Sequence, residues 1–236
     1  MGLPPFTSQD FDLFSREKTR DPEWDGPRLS LKRKLQAWGE AAEERIRKEV
    51  GVEFKVQTSL HRPYKHNRYK VESQRVILTP PAERKKELKR LLGEAFRQET
   101  SSGVTQMHLA LTLTLSRAET GLRVPPQAWW HGLAWQKAVQ EDPAGLIGLL
   151  GALPGEFLLE VQSRKGGVDC GELDEKRLSR LLRAFRPGEH WITLGRVHPR
   201  EALLEGVEDQ EGLLLDDLVA LAPVHRFLEA YTWKGS

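Results

Sequence analysis

Between Leu60 and Lys70 the chain reads Leu-His-Arg-Pro-Tyr-Lys-His-Asn-Arg-Tyr-Lys. Four permanent cations (Arg62, Lys65, Arg68, Lys70), two histidines (His61, His66) and two tyrosines (Tyr64, Tyr69) share eleven positions. Cations of this kind neutralise phosphates, and tyrosine faces stack on unpaired bases, so the combination suits single-stranded nucleic acid. The same residues suit an acidic protein surface. From Lys55 to Arg75 the net charge is +5, whereas from Arg200 to Asp217 it is −6. The chain's own acidic segment, or that of a second copy in a self-associated form, is therefore a further partner for the basic stretch. The plainer reading of both segments is two solvated faces.

Other chemistry is more thinly signalled. Glu53-Phe54-Lys55 places an acid and a lysine two apart on an expected strand, as in metal-dependent nucleases, with Glu53 on a metal and Lys55 at the scissile phosphate. Composition this rich in both residue types makes the pattern common by chance. Cys170, between Asp169 and Gly171, could in principle draw a base from seven histidines, but no local signature selects one. His61 and His66 lack the third ligand a metal site needs. The glycines from Gly145 to Gly151 fall in a helical stretch with no Lys-Ser or Lys-Thr ending, so no nucleotide loop is read there. No cofactor and no metal site are expected. The sequence favours a non-catalytic binding or interaction module, and the alternative is a metal-dependent phosphodiester hydrolase centred on Glu53 and Lys55.

The elements that must position these residues follow from periodicity. Thr7 to Asp10 has the form of a capping box, with Phe11 and Phe14 on one face. Glu17 to Pro27 reads as a loop pinned by Trp24. Leu31, Leu35, Trp38, Ala42, Ile46 and Val50 then recur at helical spacing until Gly51. Val52 to Leu60 and Val71 to Leu78 read as strands, which makes the basic stretch their exposed connection, with Pro63 and Asn67 as turn formers.

Further along, a charged helix is expected from Ala82 to Arg97 and a polar turn from Thr100 to Gly103. Met107 to Ser116 alternates strictly and reads as the clearest strand, with His108, Thr112 and Thr114 on its polar side and His108 either satisfied or exposed. Leu122 to Val124 is a short paired strand. A helix carrying Trp129, Trp130 and Trp135 follows, with Trp129 expected to cap the sheet. Strands at Phe157 to Gln162 and His190 to Val197 flank a turn at Lys165 to Gly167 and a helix from Asp174 to Phe185. A last helix runs from Leu213 to Tyr231 and is kinked or broken at Pro223. Helices and hairpins interleaved in this irregular order predict an α+β fold, a mixed and largely antiparallel sheet packed by amphipathic helices, in one domain over residues 1–236, with 1–27 partly irregular.

The opening Phe6-Thr7-x-x-Asp10-Phe11-Asp12-x-Phe14, a long amphipathic helix and then a His/Arg-rich stretch before a strand together resemble the YktB-like family of uncharacterised bacterial proteins. The likeness covers the first third and departs at Glu17 to Pro27 and in the long acidic C-terminal part. It implies an α+β fold in a bacterial cytoplasmic setting and no particular activity. A lone cysteine and an opening without an apolar leader agree with a cytoplasmic location. No stretch has the roughly 20 apolar residues that span a membrane.

Overall fold

A computed structural model describes residues 2–92, 106–162 and 166–233. The long helical periodicity becomes α2 (Asp25–Val50), which follows the short α1 (Ser8–Asp12) and ends at Gly51, whose φ of 71° is the left-handed conformation that glycine adopts without strain. The expected capping box forms, with Asp10 accepting from the Thr7 backbone N–H at 2.8 Å. Only part of the expected loop at Glu17 to Pro27 is irregular, because Pro22–Trp24 forms a 3-10 turn and α2 starts at Asp25. Arg28, fully buried, fastens this segment by donating to the carbonyls of Lys18 and Asp21 and to Asp25 Oδ1.

Seven strands follow in the spatial order β1-β2-β3-β4-β7-β5-β6. They are β1 (Lys55–Thr58), β2 (Gln74–Thr79), β3 (His108–Leu113), β4 (Arg117–Val124), β5 (Leu158–Val161), β6 (Val168–Asp169) and β7 (Ile192–Pro199). Every pairing is antiparallel, so the sheet is not mixed. Between them lie α3 (Ala82–Leu92), α4 (Trp129–Glu141), α5 (Pro143–Gly151) and α6 (Glu175–Arg183), and the chain continues through α7 (Arg200–Glu205) into α8 (Gln210–Trp233). The architecture is α+β in a single domain. The expected helix beyond Leu92 and the turn at Thr100 to Gly103 lie outside the described residues, as does Lys165 of the turn before Gly166.

Helices α2 and α8 stack side by side on one face of the sheet, α2 over β1 and β2 and α8 over β3 and β4, with α4 against α8. The register fixes which residues meet them. Leu109, Leu111 and Leu113 of β3 lie opposite Leu122, Thr120 and Ala118 of β4, and this row faces the helices. Gly39 of α2 lets the helix touch the sheet, since a Cβ there would overlap Val76 Cγ2 and come within 2.7 Å of Val56 Cγ1.

One core assignment differs from expectation and one is resolved. On the polar row of β3, His108 is buried and satisfied, its Nδ1 2.8 Å from the Gln106 carbonyl, and Thr112 is buried as well. In α4 it is Trp130 and Trp135 that enter the core, in phase with Ala134 and Ala138, while Trp129 lies one position off that face and is half-buried. Strand β4 begins at Arg117, five residues before the expected segment, and helix α8 runs on through Pro223.

The N-terminal residues close the core. Phe6, Phe11, Leu13 and Phe14 are buried, and Phe6 stacks on Trp38 with ring centroids 5.0 Å apart. The Phe6 N–H donates to Gln210 Oε1 at 2.8 Å, and Gln210 Nε2 donates back to the Phe6 carbonyl at 3.1 Å. No helix among the described residues is long and apolar enough to cross a membrane.

Candidate functional site

The basic stretch is the connection between β1 and β2, closed at its foot by Ser59, whose N–H donates to the Arg75 carbonyl and whose Oγ accepts from the Arg75 N–H. Its tip is ordered by Asn67. Asn67 Oδ1 accepts from the Tyr64 N–H at 2.7 Å, Asn67 Nδ2 donates to the Arg62 carbonyl at 2.9 Å, and Lys65–Asn67 forms a 3-10 turn between them. The Val71 N–H then donates to the Thr19 carbonyl at 2.8 Å and the Val71 side chain is buried, which anchors the returning limb on the N-terminal segment.

Arg68 and Tyr69 both have positive φ, 54° and 56°. For residues with a Cβ this conformation costs about 1–2 kcal/mol each, and it is kept only where surrounding bonds hold it. Here the Tyr69 N–H donates to the Tyr64 carbonyl at 2.9 Å and the Lys70 N–H to the Asn67 carbonyl at 3.0 Å. The result is that Tyr69 stands out from the loop at 62% exposure, with Tyr64 at 49% and its ring 5.6 Å from His66. Arg62, Lys65 and Arg68 are exposed and make no ion pair among the described residues, while Lys70 meets Glu72 at 3.4 Å.

Of the residues singled out by sequence, Arg62, Tyr64, Lys65, His66, Arg68 and Tyr69 share this exposed loop and Lys70 lies at its edge. His61 does not join them. It turns inward, its Nδ1 sealed without a partner, and burial together with Lys32 pushes its pKa below the usual imidazole range. Arg75, at the loop's foot, is half-buried in β2: it has no carboxylate partner among the described residues, and burial beside Arg123 pushes its pKa down.

Glu53 and Lys55 fall elsewhere. The strand starts only at Lys55, which pairs with Thr79 at the end of β1 away from the loop, so Glu53 precedes the ladder and the pair does not point toward the basic stretch. No group of three His, Cys, Asp or Glu side chains that could hold a metal exists among the described residues. Cys170 is buried, and burial with the neighbouring Asp169 pushes its thiol up to about 12, which suppresses the nucleophilic thiolate. The acidic C-terminal segment has other partners than the loop. Arg200 meets Asp12 at 2.7 Å, Asp216 meets Arg45 at 2.6 Å, and Glu211 accepts from the Leu3 N–H.

The same segment supplies a polar cluster that sequence reasoning missed. Asp217, almost completely buried, accepts from Thr120 Oγ1 at 2.6 Å, binds His198 Nε2 at 2.7 Å and lies 3.3 Å from Arg196 Nη1. One signal was available: Asp217 interrupts the apolar row Leu214, Leu218, Leu221 of α8, and a carboxylate in that phase is buried only with partners. No protein-family model and no curated protein matches the chain.

Proposed function

We propose that the protein binds single-stranded nucleic acid through the β1–β2 loop, with Arg62, Lys65, Arg68 and Lys70 on phosphates and Tyr64 and Tyr69 stacked on bases. The observation that carries the reading is the left-handed pair Arg68 and Tyr69, where backbone strain is accepted to hold an exposed ring among Arg62, Lys65 and Arg68, which make no ion pair among the described residues. A preformed loop loses little entropy when it engages a ligand.

The test is fluorescence anisotropy of a labelled oligonucleotide between 50 and 200 mM salt. Replacing the four cations by alanine is expected to reduce the slope of log affinity against log salt by about 3, since each phosphate contact on a single strand contributes about 0.7. Tyr69→Ala is expected to weaken binding about 5- to 100-fold, the value of one stacked base. An oligonucleotide that fails to bind, or that binds the quadruple variant as well as the wild type, refutes the reading.

A further inference from the structure

A cavity of about 550 Å³ opens where β7 passes α7 and the first turn of α8. Its walls include Glu156, Arg196, His198, Ala202 and Leu203. His198 joins this lining to the Asp217 cluster. Nε2 is held by the Asp217 carboxylate, whereas Nδ1 makes no hydrogen bond and, unlike the nitrogens of His225, is not sealed from solvent.

We propose that His198 is the proton-accepting group of a small-molecule site in this cavity, oriented by Asp217, for a ligand that offers a hydroxyl group to Nδ1 and a carbonyl or oxyanion oxygen to Arg196. With Nε2–H donated to Asp217, the Nδ1 lone pair is the free end of the ring, the arrangement in which a histidine acts as general base. In the transfer the ligand's O–H bond breaks, the proton passes to Nδ1, and the electron pair stays on the ligand oxygen. The buried carboxylate then faces an imidazolium and stabilises it.

Thr120 does not compete as a nucleophile. Its hydroxyl already donates to Asp217, and it lies 3.4 Å from the nitrogen that the carboxylate occupies. Asp217 is held on both oxygens, by Thr120 and His198 on Oδ2 and by Arg196 on Oδ1, so it cannot swing into the cavity. Arg196 is positioned in turn by Gly155, whose backbone leaves room for the guanidinium: a Cβ there would lie 3.0 Å from Cζ. Glu156, next to Gly155 in the cavity lining, balances Arg196 and disfavours a multiply charged anion.

Diethylpyrocarbonate tests the proposal because it acylates an imidazole nitrogen that has a free lone pair and a route to solvent. Peptide mapping by mass spectrometry of the native protein should find His198 modified within about tenfold of the exposed His66, and His108, His131 and His225 at least about 100-fold slower. Asp217→Asn should slow His198 about tenfold and leave His66 unchanged. Ala202→Trp, at an exposed position on the cavity wall, should slow it similarly by blocking the entrance. The wild-type rate decides the matter even if Asp217→Asn does not fold. A His198 as unreactive as His108 overturns the proposal, as does an unchanged rate in folded Ala202→Trp.

Discussion

Three histidines are buried completely, and burial pushes His108 and His131 down to about 3 and His225 to about 4. His225 lies edge-on to Phe54 with ring centroids 4.9 Å apart, near the Met107 backbone, yet neither of its nitrogens has a hydrogen-bond partner of proper geometry. In the unfolded chain each histidine takes up a proton near pH 6.5. A folded-state value below the unfolded one means that the folded protein binds protons more weakly, so the stabilisation is intact above pH 6.5 and is lost as pH falls toward the folded values. Between pH 7 and pH 5 the linkage relation gives a loss of about 2 kcal/mol per histidine, or about 6 kcal/mol for the three. That is comparable with the whole stability of a typical domain, about 5–15 kcal/mol.

The variant that isolates one contribution is His225→Leu. At pH 7 it replaces two unpartnered nitrogens with an apolar group of similar volume, so it should be near neutral. At pH 5 it should be more stable than the wild type by about 2 kcal/mol. Urea unfolding followed by far-UV circular dichroism at the two pH values measures both differences. If the wild type is as stable at pH 5 as at pH 7, or if the variant shows the same pH dependence as the wild type, the buried histidines do not govern acid stability and the reasoning fails.

Arg28→Ala should destabilise the protein by about 3–5 kcal/mol in the same urea assay, because it strands the carbonyls of Lys18 and Asp21 and leaves a cavity under the N-terminal segment. Gly39→Ala should cost about 1–3 kcal/mol despite the better helix propensity of alanine, since the clash with Val56 and Val76 outweighs a propensity gain of at most about 1 kcal/mol. Cys170 should resist a thiol reagent in the native protein and react about 100-fold faster in denaturant; rapid native labelling would contradict its burial.

Local signals carried most of the secondary structure. The spacing from Leu31 to Val50 and the glycine after it fix α2 without reference to the rest of the chain. Alternation identified β3 as a strand but not what covers its polar row, which depends on the strand's central place in the sheet. Strand β4 was read too short because Arg117, Glu119 and Gly121 carry no apolar signal; they lie on the face away from the helices. The insertion of β7 between β4 and β5 is a property of distant pairing, and no stretch of sequence encodes it alone. At the loop, charge and exposure were legible, whereas the inward turn of His61 and the left-handed pair depend on Asn67 and on the anchor to Thr19. The His198 and Asp217 cluster joins residues 19 apart to Thr120, 97 positions before Asp217, and only the folded chain brings them together.

The reciprocal bonds between Phe6 and Gln210 also set a schedule for synthesis. The two residues are 204 positions apart, so at ribosomal rates of about 5–20 residues per second Phe6 emerges roughly 10–40 s before Gln210 exists. During that interval Phe6, Phe11 and Phe14 have Trp38 and its neighbours on α2 as their nearest shelter. The opening segment can begin to collapse early but cannot be locked until α8 has left the ribosome. Nascent chains stalled before Gln210 should therefore be the ones that chaperones hold.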